Sequence, residues 1–270
     1  MSNICIYHKN CYDGICSAWI VWKVFNKDVE LVPMNYGDKL DWLTKGHYNS
    51  TDKVIVVDFS FPREIMLALK SMFPNLLVID HHKTAQKELE GLSFCIFDMN
   101  ESGASLAWYN FFPYKILPIL VKYVKDRDLW LHKERNTQEI NSFIQSFPMT
   151  VESYDSLYES LRDPVEFEDA IVGGASILRY KEKLVEDICK TAGVVDDIPT
   201  VNTSVLFSEV GHRLCELYPT SFYSKSYYDR VVDGVRQYSL RSIGDYDVSK
   251  VAKELGGGGH KNAAGFTRKT

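Results

Sequence analysis

The chain has 270 residues, 45% apolar and 25% charged, an ordinary globular composition with room for one large domain or two modest ones. Its formal net charge of −5 argues against broad, sequence-independent duplex binding, which needs a basic face, and leaves room for a small phosphate-bearing substrate at one local cationic site. No apolar run approaches the ~20 residues of a membrane span, the start MSNICIYHKN lacks a basic-then-apolar leader, and six scattered cysteines (Cys5, Cys11, Cys16, Cys95, Cys189, Cys215) have no paired CxxC spacing, so a cytoplasmic chain with reduced thiols is expected.

Short apolar runs alternate with helical patterns over the first ~100 residues. NICIYH (3–8) reads as a strand. DGICSAWIVWKVF (13–25) reads as a helix with Ile15, Ala18, Trp19 and Trp22 on one face. VELVPM (29–34) and KVIVVDFS (53–60) are the next strands. PREIMLALKSMF (62–73) is a helix with Pro62 suited to its first turn. NLLVID (75–80) and LSFCIFD (92–98) complete five strands, which predicts βαβ units and a mostly parallel sheet flanked by helices. ESGASLAWYNFF reads as a helix capped by Ser102. KILPILVKYVKDRDLW and TQEINSFIQSF continue helical.

The reading therefore divides the chain into an α/β domain over 1–150, a helical linker over 151–196 and a smaller α/β domain over 197–270. In the last, TVNTSVLF, SFYSKSYYDRVV and VRQYSLRSI are strand candidates, and SEVGHRLCEL and DVSKVAKEL are helix candidates. The alternating aromatics of SFYSKSYYDRVV read as cross-strand packing, and RYKEKLVED as a solvated helix face.

Ligands of open parallel sheets bind outside the carboxyl ends of the strands. The first strand is followed by His8 and then Asp13, the third by Asp58, and the fourth by Asp80, His81 and His82; a later helical segment adds Asp126 and Asp128. Taken singly, each acid reads as a turn or cap residue. Together at three strand ends they form an imidazole–carboxylate set suited to Mn²⁺, Fe²⁺ or Zn²⁺, with Mg²⁺ open to a carboxylate-rich version. Two such ions sharing Asp58 would clamp a phosphoryl oxygen and activate water.

VIDHH, the upstream VVDFS, the N-terminal YHKNCYDGICSAW and the tail LRSIGDYDVSKVAKELGGGGHKNAAGF resemble the DHH phosphoesterase superfamily and its associated C-terminal domain. The resemblance spans residues ~1–130 and ~200–270. It implies His8 and Asp58 on one metal, and Asp13, Asp58, His81 and Asp126 on the other. Asp80 would orient a ligand, and His82 would contact the scissile phosphate or protonate the leaving oxygen. Asp126 is preferred to Asp128 because Trp130 follows it four residues later, as in the family. Relatives usually carry D-x-D in the first motif; here Cys11 stands in the first of those slots, and a thiolate is a poor Mn²⁺ ligand.

Four consecutive glycines, Gly256–Gly259, read as a helix C-cap plus a turn, or as a backbone cradle for an anion. The resemblance favours the second, with Arg241, Ser242, Gly257, Gly258, Gly259 and His260 holding the substrate. The implied activity is two-manganese hydrolysis of short single-stranded oligonucleotides or linear or cyclic dinucleotides to nucleoside monophosphates, without a membrane, and with a homodimer left open. The alternatives are a RecJ-type single-strand DNA exonuclease, a pyrophosphatase, and a nucleotide-sequestering protein whose metal site is impaired at Cys11.

Overall fold

Successive residues of a strand point to opposite sides, and the N-terminal strands are apolar on both, so they are stable only between two covering layers. In β1 (Asn3–His8), Cys5 joins one core cluster while Ile4 and Ile6 join the other. β2 (Glu30–Met34) buries Val32 and Met34 on the second side. β3 (Lys53–Val57) sends Ile55 and Val57 to the first side, Val54 and Val56 to the second.

The structure, a computed structural model, describes residues 2–41 and 48–270. It divides into two units, Met1–Leu178 and Arg179–Thr270. In the first, β4 (Leu77–Asp80) and β5 (Cys95–Phe97) complete a sheet of order β2-β1-β3-β4-β5. Every neighbouring pair in it is parallel, as the alternation of strands and helices predicts.

α1 (Tyr12–Val24) is buried from Asp13 to Trp22, because it lies between the sheet and further helices. α2 (Arg63–Met72) covers the opposite face through Met66 and Leu69. α3 (Lys83–Glu88) is a short helix that the reading missed; too few residues lie between strands to show a helical period. α4 (Gly103–Phe111), α5 (Ile119–Asp128), α6 (Thr137–Ile144) and α7 (Val151–Ser160) pack on the α1 side. Ser102 caps α4 as expected, accepting from the Ser105 amide and returning a capping box. α8 (Pro164–Cys189) contributes Ala170 to this core and Val185 and Cys189 to the core of the second unit.

The second unit has a sheet of order β10-β11-β9-β8-β7-β6. Along the chain run β6 (Gly193–Val195), β7 (Ile198–Asn202), α9 (Phe207–Leu217), β8 (Ser224–Arg230) and β9 (Val235–Arg241), then α10 (Val248–Glu254), β10 (Gly258–His260) and β11 (Ala263–Lys269). β7 is shorter than the strand expected over 200–207, because the chain turns at Leu206 in the left-handed region to start α9. Tyr227, Tyr238 and Phe266 pack ring against ring across three strands, which gives that aromatic run its packing role.

The glycine run has local reasons of its own. The Gly256 amide bonds the Lys253 carbonyl and the Gly257 amide bonds that of Ala252, a Schellman end to α10 with Gly256 at φ 82°. A Cβ on Gly257 would sit 2.0 Å from the Gly265 carbonyl oxygen, and one on Gly259 2.5 Å from that of Ala263. The last two glycines belong to β10, which pairs antiparallel with β11. Neither β10 nor β11 was anticipated.

Candidate metal centre

The carboxyl ends of β1, β3 and β4 carry the residues singled out above, and the fold brings them together. His8 is the last residue of β1. Asp13 lies in the first turn of α1 rather than at its cap, which is Cys11. Gly14 permits that turn to rest on the strand: a Cβ there would meet the His8 carbonyl oxygen at 2.2 Å. Asp58 ends β3 in the left-handed region at φ 52°, a conformation Asp tolerates better than most residues and one that concentrates at functional sites. It explains why the strand stops at Val57.

Asp58 stands between two groups. Its Oδ1 is 3.0 Å from His81 Nε2, and its Oδ2 is 3.5 Å from His8 Nδ1. Asp13 Oδ2 and Asp128 Oδ2 lie 3.7 and 3.6 Å from the same His81 nitrogen. Among the described residues of this unit two sets of ligand-competent atoms result, His8–Asp58–His82 and Asp13–His81–Asp128, each within 4.8 Å. Four of their atoms, His8 Nδ1, Asp13 Oδ2, Asp58 Oδ2 and Asp128 Oδ2, are buried without a hydrogen-bond partner. Buried polar atoms are almost always satisfied, so a cluster of orphans aimed at one space fits a cation.

Asp80 has a different setting. Its Oδ1 accepts from the His81 and His82 amides and lies 2.7 Å from His82 Nδ1, and its Oδ2 accepts from Ser60 Oγ at 2.8 Å. It thus fixes the strand end and the His82 ring. Asp126 is occupied as well: its oxygens accept from the Lys133 and Glu134 amides at 2.9 and 3.3 Å, tying down the loop after α5. Residues two apart on a helix face different ways, so Asp126 and Asp128 cannot both reach the site, and Asp128 is the one that does. Where the sequence reading placed Asp126 in the metal set, the carboxylate that faces His81 is that of Asp128.

The electrostatics follow from burial. Burial, then the neighbouring Asp58 and Asp128 charges, push Asp13 well above the usual carboxylate range. Burial raises Asp128 too. Asp58 goes the other way, because His8 and His81 outweigh its burial. The surrounding acids, Asp128 foremost, raise His81 well above its usual value against its own burial. Buried acids so close must share protons or a cation.

In the second unit Arg241, Ala263 and His260 are opposite one another on β9, β11 and β10, and so share a face of the sheet. Arg241 is held by Ser239 Oγ at 2.9 Å and Ser208 Oγ at 2.8 Å. Ser242 donates to the Tyr246 carbonyl at 2.7 Å and secures the turn after β9.

No family model matches the chain. Over 98% of its length it is 30% identical to uncharacterized protein R106 of Acanthamoeba polyphaga mimivirus, covering 67% of that protein. It is 24% identical to oligoribonuclease NrnB of Bacillus subtilis strain 168, over 96% of the chain and 71% of the relative. Exonuclease RecJ in its manganese-bound crystal structure shares the fold, with a TM-score of 0.53 at 15% identity over 98% of this chain and 85% of that one. The chain thus has the fold of RecJ, and its VVDFS, VIDHH and GGGGH segments resemble the DHH phosphoesterase superfamily.

Within the DHH frame, the departure at Cys11 is now located. Cys11 caps α1 beside the acids. Burial, then Asp58, Asp128 and Asp13, push its thiol well above the ordinary range, which leaves it neutral. Neither ligand group includes it.

Several supporting residues had gone unnoticed. Ser60 and Gly103 carry no motif of their own, yet a Cβ on Gly103 would meet Asp58 Cβ at 2.6 Å and Asp13 Oδ2 at 2.9 Å. Gly103→Ala is expected to lower stability by about 1–3 kcal/mol through overpacking and to weaken metal binding by displacing both acids. Unchanged thermal melting and metal titration would show that these neighbours yield freely. For Asp128 a signal did exist. It falls four and seven residues after the buried Val124 and Val121, and so lies on their side of the helix.

Proposed function

We propose that the chain is a divalent-metal phosphodiesterase that hydrolyses short oligonucleotides or dinucleotides to nucleoside monophosphates. The observation that carries this reading is Asp58, whose two oxygens face two separate groups of buried, ligand-competent atoms. His8 and Asp58 would hold one ion, and Asp13, Asp58, His81 and Asp128 the other. Ions bound there would supply Lewis-acid polarisation of a phosphoryl oxygen and a nucleophilic water at neutral pH. Imidazole and carboxylate donors suit manganese, with magnesium or other divalent ions as substitutes. His82, oriented by Asp80 through Nδ1, would donate to the phosphoryl or leaving oxygen. In the second unit Arg241 would offer its fork to a phosphate, with His260 on the same face of the sheet. A nucleotide substrate is supported by the relative named an oligoribonuclease.

The test is a panel of di- to hexanucleotides, cyclic dinucleotides and pyrophosphate incubated with Mn²⁺ and resolved by chromatography. Monophosphates released from the shortest oligonucleotides support the proposal. Orthophosphate released from pyrophosphate alone contradicts it.

Cys11 favours a second reading, a nucleotide-binding protein with a weakened metal site. A carboxylate in its place would add a hard ligand beside Asp13 and Asp58. Cys11→Asp is therefore expected to tighten Mn²⁺ binding by about tenfold or more in calorimetry. An unchanged titration would place Cys11 outside the coordination sphere.

A further inference from the structure

We propose that Tyr36 is a substrate-contacting residue that stacks on the nucleobase next to the scissile phosphate and so sets a preference for nucleotide esters over base-free ones. The inference rests on the phosphodiesterase reading above and extends it to a residue that no motif marks.

Tyr36 follows β2, the strand beside β1, and its ring reaches the metal-ligand cluster. The ring centroid is 5.7 Å from that of His8 and 6.1 Å from that of His82, edge-on to both. On the protein side it packs on Phe59 at 4.9 Å, and Phe59, fully buried, is backed by Phe61 at 4.8 Å. Yet Tyr36 is 52% exposed. Single exposed aromatics are ordinary on protein surfaces, but this one is buttressed from below and borders two of the imidazoles expected around the phosphate.

The loop that carries the ring is itself fixed. The Asn35 amide donates to Asp38 Oδ2 at 2.8 Å, the Asp38 amide donates back to the Asn35 carbonyl, and Gly37 takes φ 85° in the tight turn between them. A braced, half-exposed aromatic ring beside the imidazoles expected around the phosphate is what base stacking requires, and such stacking tolerates any base because every base has a π-face.

The experiment compares wild type, Tyr36→Ala and Tyr36→Phe as full chains, with Mn²⁺, on a dinucleotide and on its abasic analogue. In parallel, a dinucleotide bearing 2-aminopurine is bound in Ca²⁺ and its fluorescence followed, since stacking quenches it. The wild-type preference for the base-bearing substrate, as a ratio of kcat/KM values, is expected to shrink about 5- to 100-fold in Tyr36→Ala, mostly through KM, and to be retained in Tyr36→Phe. Quenching is expected with wild type and Tyr36→Phe and not with Tyr36→Ala. The proposal is overturned if Tyr36→Ala keeps the preference, if Tyr36→Phe loses it, or if quenching is the same in all three. Wild type that cleaves neither substrate would instead overturn the activity reading, and the quenching arm would still decide the role of Tyr36.

Discussion

Asp58→Asn is expected to lower kcat at saturating Mn²⁺ by about three orders of magnitude or more, while the protein stays folded. The substitution keeps the shape of the side chain. Asn accepts the left-handed backbone at φ 52°, so the hydrogen bond that the residue 58 amide donates to the Ile79 carbonyl survives. What disappears is the charge, and with it the carboxylate whose two oxygens face His81 at 3.0 Å and His8 at 3.5 Å. Divalent ions contribute several kcal/mol to stabilising the charge that develops at a phosphoryl group, and about 4 kcal/mol corresponds to a thousandfold in rate. His81→Ala should do the same by removing the imidazole around which Asp13, Asp58 and Asp128 gather. The measurement is single-turnover hydrolysis of a labelled dinucleotide, with thermal melting as the control on folding. Either variant turning over near the wild-type rate would contradict the metal assignment.

Asp128→Asn and Asp126→Asn are expected to separate cleanly, although the two acids are neighbours on one helix. Asp128 brings an orphaned, buried oxygen to the cluster. Its replacement should lower turnover and metal affinity by about 100-fold or more. Asp126 bonds two backbone amides of the following loop. Its replacement gives up a charge-assisted bond and should lower stability by about 1–3 kcal/mol, or several degrees in melting temperature, with a smaller loss of activity. That loop also holds Trp130 and His132 at positive φ, so its anchor has strain to restrain. Paired measurements of kcat and melting midpoint test the contrast. Loss of metal binding in Asp126→Asn with near-normal behaviour in Asp128→Asn would reverse the assignment.

The parts of this protein legible in its sequence are those where one physical requirement dominates. β1, β3 and β4 are apolar on both faces, which only a doubly covered parallel sheet satisfies, and the cores confirm the split between Cys5 on one side and Ile4 and Ile6 on the other. His8, Asp58 and His81 were legible because a polar side chain directly after such a strand has a known place to be. The choice between Asp126 and Asp128 was decided by resemblance when helical phase was the better guide. Asp128 is in helical phase with Val121 and Val124, while Asp126, itself buried, serves its own loop. β10 and β11 were not legible because GGH and AAGFTRK lack a clear period, and their pairing is a matter of closeness between backbones rather than of side chains. Tyr36 left no trace, since a tyrosine in a loop looks the same whether it faces solvent or a reacting phosphate.

The central claim is that residues from separate strand ends converge on divalent ions shared through Asp58. Crystals grown with manganese and measured for anomalous scattering test it directly. The account predicts two peaks, one beside His8 and Asp58 and one among Asp13, His81 and Asp128, with Asp126 touching neither. Well-ordered side chains at these positions with no anomalous peak among them, at manganese concentrations that support hydrolysis, would contradict it.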